Sequence, residues 1–224
     1  MTGPRIGRTK SATLITADVV GLDTLVHVAK GVQDSGTEQE MFQNGFAMPS
    51  YIDFMMEKKM LGSKTDGGFY KKIKNAEGKS EIQGLNLENL EYELQGKNAF
   101  PSLELTKNID KPLDRFKVLI AGKDKAGELY RKSLGALLAY VSHKVPEISD
   151  DIYKIDDALR AGFGWEDGPF EIWDAVGLEK GIELAKAEGY EVSDWVKNLA
   201  EKGQTFYKVN EEGQSTFVNK DSGE

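Results

Sequence analysis

The sequence predicts an all-α fold of duplicated helical units, each closed by a small terminal β-hairpin. Three observations predict it. The first is repetition, sought before any other pattern. Residues 18–23 read DVVGLD and residues 174–179 read DAVGLE. Downstream, Tyr51-Ile52 with Glu57-Lys58 answers Trp195-Val196 with Glu201-Lys202. Then Phe69-Tyr70-Lys71 before Glu77-Gly78 answers Phe206-Tyr207-Lys208 before Glu212-Gly213. The second observation is apolar spacing of three and four residues, which puts one stripe on a helix. The third is that each FYK block opens a short alternating stretch around a polar, glycine-containing turn. The offset between the copies shrinks from 156 to 144 to 137, so the first copy carries the longer loops. The copies are placed at 1–110 and 111–224.

In the first copy, a helix is expected from near Ala12, capped by Ser11. Gly21 should end it and allow a sharp turn, as Gly177 does in the second copy. Residues 68–84, GFYKKIK-NAEGK-SEIQG, read as the terminal hairpin. In the second copy, Leu129, Leu134, Leu137, Leu138 and Val141 mark a helix over Glu128–Val145, ended by Pro146. Ser149-Asp150-Asp151 reads as a cap, and Ile152, Ile155 and Leu159 mark a helix up to Gly162. Pro169 opens a third helix, because proline suits the first turn. Leu178–Ala187 gives a fourth, stopped by Gly189. Ser193–Lys202 gives a fifth, capped by Ser193 or Asp194 and closed by Gly203. Residues 205–219, TFYKVNEEGQSTFVN, form the second hairpin. The leader IDDALRAGFGW before the second copy has no counterpart before the first, so the natural protein is expected to extend further on the N-terminal side.

Composition removes whole classes of chemistry. There is no Cys among 224 residues, which excludes a disulfide scaffold, a cysteine nucleophile, an iron–sulfur cluster and any cysteine zinc site. A net charge of −8 opposes broad nucleic-acid binding, which needs a basic face. No apolar run reaches the length of a membrane helix, and no signal-peptide core opens the chain. A cytoplasmic location is expected.

No complete catalytic constellation is visible. His27 and His143 lie on separate helices without a second ligand at metal spacing, so both read as structural or surface residues. Gly162–Gly168 (GFGWEDG) follows a helix, whereas a dinucleotide loop must follow a strand. It reads as a turn. The paired acids Asp150-Asp151, Asp156-Asp157, Glu166-Asp167 and Glu211-Glu212 read mostly as helix-start charges or solvated turns, because neighbours on a helix do not face each other. Lys71, Lys72 and Lys74 read as a charged hairpin edge. Trp165, Trp173 and Trp195 are assigned to the core.

Residues 7–31, GRTKSATLITADVVGLDTLVHVAKG, and 158–181, ALRAGFGWEDGPFEIWDAVGLEKG, resemble the two C-terminal repeats of bacterial 3-hydroxyacyl-CoA dehydrogenases of fatty-acid β-oxidation. LGSKTDGGFYKK, residues 61–72, resembles the ending of such a repeat. The resemblance covers nearly the whole chain and is nearest the large multidomain members. It implies an all-helical domain similar to the C-terminal fold of 6-phosphogluconate dehydrogenase. It implies oxidation of a 3-hydroxyacyl-CoA with NAD as hydride acceptor. In the family, NAD and the catalytic His–Glu pair belong to an N-terminal Rossmann domain, so no catalytic or cofactor residue carries over. What carries over is the loop Gly7–Thr13, which in the family lies toward the acyl-CoA and here offers Arg8, Lys10 and Ser11 as substrate contacts. Thr9 departs from the proline usual there. The implied partners are acyl-CoA, the Rossmann domain and, in some assemblies, a second copy; neither nucleic acid nor membrane is implied. The rival reading is a free-standing, non-enzymatic helical scaffold.

Overall fold

The structure, a computed structural model, describes residues 1–36, 42, 47–96, 99–209 and 215–219. It is mainly helical, with short antiparallel strands. The chain forms two compact units: residues 11–98, and residues 1–10 together with 99–224.

In the unit of residues 11–98, α1 (Ala12–Val20) and α2 (Leu22–Ser35) meet at Gly21, with φ 100° and ψ 127°. That backbone region is nearly closed to a residue with a Cβ, so the sharp turn depends on glycine. α3 (Ser50–Glu57) follows, and then a sheet in the order β1 (Tyr70–Lys74), β2 (Ser80–Leu85), β3 (Tyr92–Leu94). The expected hairpin is β1–β2, with Tyr70 opposite Gly84 and Lys74 opposite Ser80. β1 is an edge strand, as its lysines suggest. The third strand has no precedent in the sequence reading, because three residues of alternation are too few to register as a period. Ala17, Leu22, Val26, Ile52, Met55, Phe69 and Leu85 form the core.

The second unit opens with a 3₁₀ turn, Pro4–Ile6, and then uses α4 (Pro101–Leu105), α5 (Pro112–Ala121) and α6 (Lys125–Glu147). It continues with α7 (Ile152–Phe163), α8 (Pro169–Val176), α9 (Leu178–Ala187) and α10 (Asp194–Glu201), ending in the hairpin β4 (Tyr207–Val209) and β5 (Ser215–Phe217). Proline opens α4, α5 and α8, where its missing N–H costs nothing. α6 lies closely along α9: a Cβ on Gly135 would come within 2.6 Å of the Leu184 carbonyl oxygen. Phe170, Trp173, Trp195 and Phe206 form an aromatic cluster with ring centroids 5.0–6.5 Å apart. Burial of each such ring contributes about 2 kcal/mol.

The regular part of α6 stops at Val145, as expected before Pro146: φ −101° and ψ 114° are the extended geometry imposed on a residue before proline. The three tryptophans assigned to the core are not equally enclosed. Trp173 is fully buried, but Trp165 and Trp195 are half-buried, with the Trp195 indole N–H donating to the Ser142 carbonyl at 2.9 Å. The turn of the second hairpin and Glu211-Glu212 lie outside the described residues.

Candidate functional site

The repeated Asp and the repeated Phe-Tyr pair meet in both copies. Asp18, in the last turn of α1, accepts the backbone N–H of Phe69 at 2.8 Å and of Tyr70 at 2.9 Å. Asp174, in the last turn of α8, accepts those of Phe206 at 2.9 Å and Tyr207 at 2.8 Å. Each aspartate therefore latches the start of a hairpin to the end of a helix. The match extends further. Leu85 N–H donates to the Phe69 carbonyl and Val218 N–H to the Phe206 carbonyl, both at 2.8 Å. Gly177, at φ 101° and ψ 134°, reproduces the Gly21 turn. Gly68 is required at the first latch, since a Cβ there would lie 2.1 Å from Asp18 Oδ1. Burial raises the pKa of both carboxyls, and that of Asp174 reaches about 6 although the two N–H groups oppose the rise.

A second carboxylate joins the second latch. Asp156, on α7, has no exposed surface. It accepts Phe170 N–H at 3.0 Å, Glu171 N–H at 3.3 Å and the Tyr207 hydroxyl at 2.8 Å. It thus caps α8 from another helix, and Gly168 makes room, because a Cβ there would sit 2.1 Å from the Asp156 Cγ. Burial raises Asp156 to about 6. Glu171 closes the network by accepting Gly168 N–H at 2.8 Å and pairing with Arg160, which also holds Asp157. The expectation that paired acids are mostly solvated or at helix starts fails at Asp156. The sequence does carry a signal for it: a Gly-Pro helix start whose own cap residue has no side chain needs a cap from elsewhere.

The caps themselves fall where expected, but the predicted side chains do other work. Ser11 makes no capping bond; its hydroxyl lies 2.8 Å from that of Thr16. Neither Asp151 nor Ser193 caps its helix through its side chain. Ser193 instead donates to the Ser142 carbonyl and meets His143 Nδ1 at 3.1 Å, while His143 Nε2 lies 2.9 Å from the Glu191 carbonyl oxygen. Asp124 caps α6 by accepting Gly127 N–H, and it ties in the N–H and hydroxyl of Ser102. His27 is exposed on α2. Among the described residues no cluster of three metal-ligating side chains occurs.

Of the loop residues read as substrate contacts, Arg8 and Lys10 face different environments. Arg8 lies over the Trp165 ring, 3.8 Å from its centroid, and burial lowers its pKa. Gly7, in the left-handed region at φ 64°, accepts Glu166 N–H at 2.8 Å, and Arg115 reaches the carbonyls of Pro4 and Arg5. Residues 4–8 are thus pinned in place. Lys10 is exposed. The strands of the described residues are antiparallel, and Gly164, at φ 63°, ends α7. Residues 162–168 are therefore the expected turn between helices, and no strand-to-helix glycine loop is present among the described residues to cradle the phosphates of NAD.

No family model matches the chain, and no solved structure matches it. Curated proteins do. The chain is 42% identical over 215 residues to the "Probable 3-hydroxyacyl-CoA dehydrogenase" of Bacillus subtilis, covering 95% of the chain and 26% of that protein. It is 39% identical over 75 residues to the protein of that name from Deinococcus radiodurans, covering 34% of the chain and 20% of the relative. It is 28% identical to the "Fatty acid oxidation complex subunit alpha" of Psychrobacter cryohalolentis, covering 85% of the chain and 24% of the relative. The chain spans about a quarter of the length of these relatives. With a mainly helical architecture and 42% identity along 95% of its length, the chain is homologous to a stretch of about a quarter of the bacterial proteins named 3-hydroxyacyl-CoA dehydrogenase.

Proposed function

We propose that the chain is the helical C-terminal part of an NAD-dependent enzyme that oxidises 3-hydroxyacyl-CoA to 3-ketoacyl-CoA in fatty-acid β-oxidation. Its work there is to close the acyl-CoA cleft and to supply interdomain or dimer surface. The supporting observation is the 42% identity along 95% of the chain to a protein named as such a dehydrogenase. NAD is assigned to a nucleotide-binding domain outside this chain, because the described residues do not fit it. We keep the duplication as copies near 1–110 and 111–224, each containing one latched hairpin.

Lys10 is the proposed electrostatic contact to the CoA phosphates. It is exposed, whereas Arg8 is engaged with Trp165. Arg8 and Ser11 remain the other two proposed contacts of this loop. A cation about 4 Å from a phosphate gains about 1 kcal/mol in water and more in a partly dry cleft. In the longer enzyme containing this chain, Lys10→Ala should raise KM for acyl-CoA several-fold with kcat little changed, since binding rather than chemistry is lost. The effect should shrink as salt rises. An unchanged KM at low salt, in a folded variant, removes Lys10 from the site.

A further inference from the structure

The loop proposed to meet acyl-CoA does not stand alone. Within the unit of residues 1–10 and 99–224, residues 7–9 lie against residues 166–164 in reverse order, one position at a time. The Gly7 carbonyl accepts the Glu166 N–H at 2.8 Å, and a Cβ on Gly7 would lie 3.0 Å from the Glu166 Cβ. The Arg8 guanidinium lies over the Trp165 ring, 3.8 Å from its centroid. Thr9 meets Gly164, where a Cβ would lie 3.2 Å from the Thr9 methyl group. Lys10 is the next residue, and it is exposed.

The offset of 156 that aligns the repeats equates Arg8, Thr9, Lys10 and Ser11 with Gly164, Trp165, Glu166 and Asp167. The loop of one copy therefore rests on the same loop of the other. Their chemistry has diverged. The first copy carries two cations there, and the second carries two acids and an indole. A phosphate beside Glu166 and Asp167 would meet like charge at close range, so the second loop lacks the means to hold one. It offers a ring instead. A planar guanidinium stacks well on an indole face, and Arg8 does so. The Arg8 Nε is buried and has no hydrogen-bond partner among the described residues, so the ring contact is what fixes that side chain.

We infer that Trp165 is a positioning residue for acyl-CoA: it holds the loop through Arg8, so that Lys10 meets a CoA phosphate from a fixed base. The second copy's loop serves the first copy's site and takes no acyl-CoA of its own. The physical gain is entropic. A lysine on a free loop must order its backbone each time it engages a phosphate, whereas on a pinned loop that ordering precedes binding. The inference rests on the proposed contact between Lys10 and acyl-CoA, and it adds which residue makes that contact effective.

The test is steady-state kinetics of the longer enzyme containing this chain, with Trp165→Leu, Trp165→Phe and Thr9→Gly, each alone and combined with Lys10→Ala. Trp165→Leu removes the ring face and should raise KM for acyl-CoA about three- to fivefold with kcat little changed, the weight of one exposed cation–phosphate contact. Trp165→Phe keeps a face and should restore most of the affinity. Because Trp165 acts through Lys10, Trp165→Leu should add nothing in the Lys10→Ala background, and it should lose the salt dependence that Lys10 confers. A merely structural role would instead add its loss to that of Lys10→Ala. Thr9→Gly, at an exposed position, loosens the same stretch without emptying a packed site and should raise KM likewise. Additive losses, or a Phe variant no better than Leu, overturn the inference. So does an unchanged KM in Trp165→Leu and Thr9→Gly while Lys10→Ala raises it, and the Lys10 contact then stands without a support. An unchanged KM in Lys10→Ala removes the contact itself, and the inference with it.

Discussion

A carboxylate with no exposed surface, held by two backbone N–H groups and a phenol, is what makes Asp156 informative. Its folded pKa, about 6, lies above the ordinary 3.8 because burial outweighs the donors. The native state therefore holds a proton between those values that the unfolded chain has released. The contribution to stability is fully present below about pH 4 and is lost as pH rises to about 6. A rise from 3.8 to about 6 corresponds to about 3 kcal/mol. Relative to Asp156→Asn, the wild type should lose stability of that order between pH 4 and pH 7 in denaturant titrations. A constant difference would show that the donors fully offset burial and leave the carboxyl at its ordinary value. The latches make a second residue-scale prediction. Asp174→Ala strands two N–H groups and should cost about 2–4 kcal/mol at low pH, where the native carboxyl is neutral. Residue roles are the least readable from sequence. DVVGLD and DAVGLE mark Asp18 and Asp174 as equivalent, yet nothing local says that each receives a hairpin 51 residues or 32 residues further on. Residue type places Ser11 and Ser193 at helix starts, but type alone does not reveal that Thr16 and Ser142 compete for their hydroxyls.

Helices are easier to read, because each carries its own periodicity and punctuation. Leu178–Ala187 has the predicted bounds, since Gly177 and Gly189 flank a clean apolar stripe. The Gly177 turn offers a clean test of that punctuation. Nothing lies within 4 Å of a Cβ built there, so Gly177→Ala measures backbone strain alone, about 1–3 kcal/mol, seen as a lowered denaturation midpoint. Gly135→Val tests the α6–α9 contact instead. Its side chain would meet the Leu184 backbone, and overpacking of this kind costs about 1–3 kcal/mol. If Gly135→Val proved neutral in thermal melts, the close approach of the two helices would be wrong. The end of the long helix is equally legible, because a residue before proline is driven out of the helical region, and Val145 is extended there.

At the scale of the whole molecule, the sequence carries the duplication and the helical class, and three ordered blocks are enough for both. It does not carry the boundaries of the compact units. Residues 1–10 join residues 99–224 through contacts such as Tyr130 hydroxyl to the Met1 carbonyl and Arg8 over Trp165, and such long-range pairings leave no local periodic trace. The central claim is that this chain is the helical, non-catalytic portion of a dehydrogenase rather than a free-standing scaffold or a complete enzyme. Its most direct test is NADH formation, followed by absorbance with NAD and 3-hydroxybutyryl-CoA, for this chain alone and for the longer protein that contains it. The account predicts turnover by the longer protein, weakened when Lys10 is replaced, and none by the 224 residues alone. Turnover by this chain alone, or an inactive longer protein, would contradict it.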